Sequence, residues 1–242
     1  MIDVHCHILP SLDDGALDLR DSVAMARQAD GDGITVVCAT PHIRHDHDVR
    51  LDELPVRVAE LQAELDRQGV GVRIAQGGEV AQSAARRLGP DELYEVSLDR
   101  RGWVLLEPDP GPLADELPQL VERLAGLGLR TIIAHPERHA PADLERRLEA
   151  LAEMGCMIQW TGEFIAALDP DDAQAPIVRL ARRGLVHLIG SDAHSSHGGR
   201  PLRLTPALTV LGELCPAEQV RWIAHTAPEA ILRGEFPAPP LP

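Results

Sequence analysis

The sequence predicts an α/β fold: a distorted (β/α)7 barrel, with parallel strands inside and helices outside. Three observations predict it. Short β-rich runs alternate with longer amphipathic stretches along the whole chain, as repeated strand–helix units do. The short runs are nearly all apolar, which marks strands buried on both faces and therefore parallel pairing. Seven such units in 242 residues approach the size of a closed barrel. A doubly wound open sheet would be expected to carry a Gly-rich turn after its first strand, and the turn here, ILPSLDDG at 8–15, is no nucleotide fingerprint.

In chain order, strands are expected at 2–7 (IDVHCH), 34–40 (ITVVCAT), 72–77 (VRIAQG), 103–107 (WVLLE), 130–135 (RTIIAH), 156–160 (CMIQW) and 186–191 (VHLIGS). Between the second and third, Leu54, Val58, Leu61 and Leu65 recur at helical spacing. Leu117, Val121 and Leu124 do the same before the fifth strand, and Leu144, Leu148 and Leu151 before the sixth. No composition break marks a linker, so residues 1–234 read as one domain. The proline-rich tail at 235–242 is expected to fray.

Composition excludes several functions. With 38 Asp+Glu against 23 Lys+Arg, the net charge of −15 leaves no basic stripe for nucleic acid and no polybasic face for anionic lipid. The apolar runs fall far short of the roughly 20 residues that cross a bilayer, and the start of the chain has neither a basic nor an apolar leader region. A cytoplasmic protein without membrane insertion is expected. The chain contains no lysine, which removes Schiff-base chemistry, a phosphate-loop lysine and any metal site bridged by a modified lysine. Cys6, Cys38, Cys156 and Cys215 form no CxxC pair, so reduced thiols are expected.

In a parallel barrel the active site lies at the C-terminal ends of the strands. Strand one ends in His5-Cys6-His7, strand two in Thr40-Pro41-His42, strand three in Gly78-Glu79 and strand four in Glu107-Pro108. Strand five ends in His135-Pro136-Glu137-Arg138, and strand seven runs into Ser191-Asp192-Ala193-His194. Side-chain alternation puts His5 and His7 on one face, and Asp192 and His194 on one face. Asp14, in the acidic loop after strand one, can reach over the same mouth. A lone strand histidine is more often a hydrogen-bonded core residue. Burying five histidines (His5, His7, His42, His135, His194) and four carboxylates (Asp14, Glu79, Glu107, Asp192) in one mouth without cations, however, would be electrostatically very costly. The other histidines read as surface residues, except that His187 has the parity to face the helix layer; HDHD at 45–48 is a weak accessory-site candidate.

Nine ligands exceed the needs of one ion, so a cluster of two or three divalent metals is expected. Imidazole and carboxylate donors without thiolate suit Mn²⁺, with Fe or Zn²⁺ as alternatives. Three such ions against four carboxylates leave about +2, a match for a phosphate dianion. Arg138 and Arg200 follow ligand motifs closely, and guanidinium groups clamp phosphoryl oxygens in bidentate fashion.

DxHxH at 3–7, DDG at 13–15, TPH at 40–42, GGE at 77–79, HPER at 135–138 and SDAH at 191–194, followed by Arg200-Pro201, resemble the polymerase and histidinol phosphatase (PHP) superfamily in order and spacing. Within it the chain is most similar, over residues 1–234, to the bacterial capsular-polysaccharide tyrosine phosphatases. These are metal-dependent enzymes that dephosphorylate bacterial tyrosine kinases. Asp14 stands where histidinol phosphatases typically carry a histidine.

The resemblance implies one ion on His5, His7, Glu79 and Asp192, a second on Glu79, Glu107 and His135, and a third on Asp14, His42 and His194. It implies Arg138 and Arg200 as the substrate-phosphate and transition-state arginines. Hydrolysis by a metal-bridging hydroxide follows, with His42 and Glu137 as candidate proton donors. Gln159-Trp160-Thr161 departs from the family's Gln-x-Asn, and Pro108 follows Glu107 where an apolar residue is usual. The chain has three Trp, one Tyr and two Phe, few rings to stack on a phosphotyrosine. The alternatives are a small-molecule phosphatase such as histidinol phosphatase, and a non-catalytic metal-binding scaffold. Two Cys-x5-Arg spacings, Cys38 to Arg44 and Cys215 to Arg221, contain Pro and no Gly, unlike a phosphate cradle. Native metal, physiological phosphosubstrate and oligomeric state stay open.

Overall fold

The computed structural model describes residues 1–139 and 142–240. Nine strand segments form the expected barrel. They are β1 (Ile2–Cys6), β2 (Val36–Ala39), β3 (His42–Ile43), β4 (Arg73–Gln76), β5 (Glu79–Ala81), β6 (Trp103–Glu107), β7 (Arg130–Ile133), β8 (Met157–Thr161) and β9 (Leu188–Gly190). Every pairing is parallel, in the orders β1-β2-β4 and β3-β5-β6-β7-β8-β9. The ring closes at the mouth, where Asp192 N donates to His5 O at 2.8 Å and His7 N to Ala193 O at 2.9 Å.

Nine segments occupy seven strand positions because two strands are broken. β2 and β3 are separated by Thr40-Pro41, and proline has no N–H to give a ladder. β4 and β5 are separated by Gly77-Gly78, where the chains come so close that a Cβ on Gly78 would stand 2.7 Å from Ile43 Cγ1. The ladder resumes beyond both breaks, with Glu79 N donating to Pro41 O at 3.0 Å. Both second halves reach into the mouth and carry candidate ligands.

The helices follow the predicted periodicity. Leu54–Arg67 buries Leu54, Leu61 and Leu65, with Val58 half-buried; Leu117–Gly126 buries Leu117, Val121 and Leu124; Leu144–Glu153 buries Leu144, Leu148 and Leu151. Each fully buried leucine contributes about 1.5–3 kcal/mol relative to exposure, and the apolar core lies mainly between strands and helices. Helix Leu19–Asp32 is set by its ends: Asp18 Oδ1 accepts the Asp21 N–H, and Gly33 stops it at φ 82°.

The tail differs from expectation. Trp103 Nε1 donates to Glu235 O at 3.1 Å and Trp222 Nε1 to Ala238 O at 2.8 Å, so two indoles that need acceptors tie it down. Leu241 and Pro242 of that tail lie outside the described residues.

Candidate metal centre

Local geometry aims the polar side chains at one point. On β1, Asp3 and His5 face opposite to the apolar Ile2, Val4 and Cys6, and His7 continues their row. In register across the sheet, His42 of β3 lies beside Glu79 of β5, and Ala81 beside Glu107 of β6. His135 and Asp192, just past β7 and β9, hold left-handed backbone at φ 29° and 51°. Such strain in non-glycine residues persists only where surrounding structure imposes it. Gly190 lets β9 approach β1, since a Cβ there would stand 2.6 Å from His5 Cβ.

All nine candidate ligands converge in four overlapping groups: His7, Asp14, His42 and His194; His5, His135 and Asp192; His5, His7 and Glu79; His42, Glu79 and Glu107. Glu79 is the hub. Its Oε1 lies 2.7 Å from His135 Nε2 and 3.4 Å from His5 Nε2, and its Oε2 lies 2.9 Å from His42 Nδ1 and 3.3 Å from His7 Nε2. Asp192 Oδ1 faces His5 and His7 at 3.5 and 3.4 Å. Asp14 Oδ1 sits 3.4 Å from His42 Nε2 and 3.5 Å from His194 Nε2. His42 therefore adjoins both the Asp14 group and the Glu107 group, a sharing the one-ion-per-set division does not contain.

The tautomers test whether cations fit here. His5 Nδ1 faces the carbonyl oxygen of Gln159 at 3.0 Å, and His7 Nδ1 faces Asp13 Oδ2 at 2.7 Å. Each Nδ1 must donate, so each neutral ring presents a lone pair at Nε2. Those two nitrogens lie 3.3 Å apart, with carboxylates of Glu79 and Asp192 beside them. In the neutral tautomers these two lone pairs and the carboxylate oxygens beside them are acceptors facing one another, an arrangement that a cation satisfies and that protons on His5 and His7 would otherwise fill. The buried His42 Nδ1, Glu79 Oε2 and His135 Nδ1 also have no hydrogen-bond partner. A divalent cation supplies what this donor set lacks.

Charge coupling accounts for the titration of the cluster. Burial opposes ionisation of Glu79, but His5, the hydrogen-bonded His135 and the adjacent His42 hold it well below the usual carboxylate range. Asp192 is depressed likewise by His5 and His7 against its burial, and the two carboxylates in turn raise His5 and His7. His194 goes the other way, to about 4, through burial and the neighbouring His7. Burial and the Glu79 charge push Glu107 up.

Both proposed clamp arginines stand at Asp192. Arg138 Nη2 donates to Asp192 Oδ2, while Arg200 Nε donates to the Asp192 carbonyl at 2.6 Å and its Nη2 lies 3.3 Å from Oδ2. Their side chains stay 37% and 29% exposed, enough to meet a ligand at the mouth. Glu137 Oε1 accepts the Thr161 N–H at 3.0 Å, and its buried Oε2 has no hydrogen-bond partner among the described residues.

Three residues not chosen from sequence belong to the site. Asp13 is buried, accepting from His7, from His42 N at 2.9 Å and from Gly15 N at 2.9 Å; the adjacent Gly15 and the Asx-turn habit of aspartate were its signal. Gln159 orients His5, and Arg44 Nη1 lies 3.6 Å from Glu107 Oε2. Two histidines read as surface residues are placed otherwise. His139 is buried because the turn Pro136–His139 tucks it under the mouth, its ring 6.0 Å from that of His135. His47 is half-buried, stacked on His42 at 5.2 Å, with Arg44 Nη2 3.3 Å from its Nε2. His187 does face the helix layer, edge-on to Trp222. All four thiols are free and buried, and burial pushes the Cys38 and Cys215 thiols up, so neither offers a thiolate.

Residues 1–233 match the family model described as "Capsular polysaccharide synthesis, CpsB/CapC". The chain belongs to the CpsB/CapC family. Among CpsB/CapC relatives, the tyrosine-protein phosphatase YwqE of Bacillus subtilis is 33% identical over 255 residues, covering 100% of this chain and 96% of YwqE. The tyrosine-protein phosphatase CpsB of Streptococcus pneumoniae is 24% identical, covering 98% of this chain and 100% of CpsB. A crystal structure from a study of YwqE and CpsB, described as unique metal-dependent tyrosine phosphatases, superposes with a TM-score of 0.82 at 30% identity over 100% of both chains. A β-aspartyl dipeptidase of Fervidobacterium islandicum, 18% identical with a TM-score of 0.61, shares the fold alone. Among the described residues, no helix is long and apolar enough to cross a membrane.

Proposed function

We propose that this CpsB/CapC chain is a PHP-type, metal-dependent protein-tyrosine phosphatase. Its substrate is a phosphotyrosine protein, a bacterial tyrosine kinase of polysaccharide synthesis. Residues 1–234 form the catalytic domain, and the enzyme acts in the cytoplasm, in keeping with four reduced cysteines. The observation that carries the reading is the convergence of His5 and His7 Nε2, 3.3 Å apart, on the carboxylates of Glu79 and Asp192.

His5, His7, Asp14, His42, Glu79, Glu107, His135, Asp192 and His194 hold two or three divalent ions, Mn²⁺ foremost, with Fe or Zn²⁺ compatible with the same donors. When bound, such ions supply Lewis-acid activation of water and neutralise charge on the phosphoryl group. The chain's own residues do the rest. Arg138 and Arg200, both at Asp192, bind the phosphoryl oxygens and hold the ester at the mouth. Asp13 and Gln159 keep His7 and His5 in the tautomer that presents Nε2. The leaving phenolate has a pKa of about 10, so no strong general acid is needed, and the candidate donor His42 would serve only from a ring nitrogen that holds no metal.

One observation favours the small-molecule reading: the rings stacked on the candidate ligands from outside their set are the imidazoles of His47 and His139. Assaying a phosphotyrosine peptide beside histidinol phosphate and p-nitrophenyl phosphate separates the readings. The peptide is expected to be turned over fastest, with activity lost to a chelator, restored by Mn²⁺ and insensitive to iodoacetamide. Preference for histidinol phosphate would favour the small-molecule enzyme, and no turnover of any ester by metal-loaded protein would leave a scaffold.

A further inference from the structure

Asp3 opens the DxHxH run yet is not among the nine candidate donors. It is fully buried in the barrel, on the same face of β1 as His5. Its Oδ1 accepts two backbone N–H groups from opposite sides of the barrel seam: His5 N at 3.1 Å and Ser191 N, just past β9, at 3.0 Å. Its Oδ2 has no hydrogen-bond partner among the described residues. A buried carboxyl left half-satisfied costs stability, and local rules of this kind are broken mainly at functional sites.

Two irregularities meet at Asp3 Oδ1. Between Asp3 and Cys6, β1 carries one residue more than β2, since Asp3 pairs with Val37 and Cys6 with Ala39. Such a bulge takes amides out of the ladder and re-aims side chains. Side chains satisfy the freed amides, Asp3 taking His5 N and Thr40 Oγ1 taking Cys6 N at 3.0 Å. Across the seam, Asp192 holds left-handed backbone at φ 51°. The chain is tied on both sides of it: Ser191 N donates to Asp3, and Ala193 N donates to Ser191 Oγ at 3.2 Å. The Ser191 hydroxyl in turn donates to His5 O at 3.3 Å, the carbonyl that also accepts Asp192 N. Among the described residues no ladder joins β1 to β9 beyond the single bridge of Cys6 with Ala193, so side chains complete the closure.

We propose that Asp3, together with Ser191, is a positioning residue for the metal centre: it locks the bulge that aims His5 and the strained turn that aims Asp192, two donors of one candidate group. Strained backbone persists only where its surroundings hold it, and donors must stay within about 0.5 Å of the working geometry. The inference rests on the metal-centre reading and adds what keeps two of its donors in place.

The test titrates Mn²⁺-loaded full-length protein with a chromogenic chelator and follows urea unfolding beside it. Asp3→Ala leaves two buried N–H groups without an acceptor and is expected to weaken Mn²⁺ binding about 10–100-fold. Asp3→Asn keeps an oxygen for both N–H groups and should recover most of that loss. Ser191→Ala should weaken binding about 2–10-fold, the equivalent of one hydrogen bond. Leu148→Ala is the control: it opens a cavity at a fully buried helix position, so it should unfold at lower urea with Mn²⁺ affinity unchanged. Wild-type affinity in Asp3→Ala overturns the positioning role, as does an equal weakening in Leu148→Ala. If Asp3→Ala does not fold, Ser191→Ala decides by the same comparison. If wild type takes up no Mn²⁺, Fe or Zn²⁺, the metal reading falls, and a crystal structure of Asp3→Ala decides alone. An Asp192 backbone that leaves the left-handed region keeps the positioning role, and an unchanged one removes it.

Discussion

His7 Nδ1 donates to Asp13 Oδ2 at 2.7 Å, and the same oxygen accepts the His42 backbone N–H at 2.9 Å. One buried carboxylate thereby fixes the ring of one candidate ligand and the backbone of another, carried by different strands. His7 holds its charge well below the usual range despite burial. Removing it leaves all nine donors in place but frees the His7 ring to rotate or change tautomer. Asp13→Ala is therefore expected to weaken Mn²⁺ binding by about 10–100-fold, the usual cost of losing such a carboxylate–histidine contact. Calorimetric Mn²⁺ titration reads this directly, and unchanged affinity would sink the orienting role.

Ligands and clamps should separate. Asp192→Asn and His135→Ala remove donors from the buried groups around Glu79, and both are expected to lose bound metal together with activity. Arg138→Ala and Arg200→Ala should keep metal and lose about 10²–10³ in turnover, as when one oxyanion donor is removed. Arg200→Lys should recover little, because a point charge does not replace the planar fork. Metal content by elemental analysis beside kcat decides; near wild-type turnover in both arginine variants would make them surface residues.

Asp21 of helix Leu19–Asp32 reaches the loop that carries Arg200. Its Oδ1 accepts Ser196 N at 2.9 Å and Ser196 Oγ at 2.5 Å, while Gln28 Nε2 donates to Ser196 O at 2.9 Å. Asp21→Ala leaves these donors unsatisfied and should cost about 1–3 kcal/mol in denaturant unfolding. If the brace acts on catalysis through Arg200, adding Asp21→Ala to Arg200→Ala should lower kcat/KM no further. Additive losses would mean that Asp21 acts on catalysis independently of Arg200, and unchanged kcat/KM in Asp21→Ala that the brace serves folding alone.

The barrel and the convergence of the candidate ligands are legible because both rest on period two. Alternation set His5 and His7 on one face, and the strand ends of a parallel barrel must meet at one mouth. Less legible was what turns and tertiary partners decide. TPH and GGE look like strand ends, yet β3 and β5 resume beyond Pro41 and Gly78, because a neighbouring strand is there to continue the ladder. Choosing between Asp13 and Asp14 depends on which carboxylate the turn buries: Asp14 remains half exposed and faces two imidazoles, while Asp13 faces backbone N–H groups. The tail's docking depends on the indoles of Trp103 and Trp222, more than ten residues away in sequence, and periodicity carries no trace of it.

His187 gives a pH dependence remote from the metal centre. Its Nδ1 accepts the Ile158 N–H at 3.0 Å, which requires the neutral ring, and burial pulls its pKa down to about 4. The unfolded chain titrates near 6.5, so between about 6.5 and 4 it binds more protons at this residue than the folded one does. Stability from this group is complete above 6.5 and is lost as pH falls towards 4. Allowing for its partial exposure, the loss should be on the order of 1–2 kcal/mol. His187→Gln keeps an acceptor for Ile158 N but cannot charge. Urea unfolding should find the variant less stable than wild type at pH 7.5, with the gap closing by pH 5. A gap that stays constant across that range would show that His187 is protonated as readily in the folded protein as in the unfolded chain.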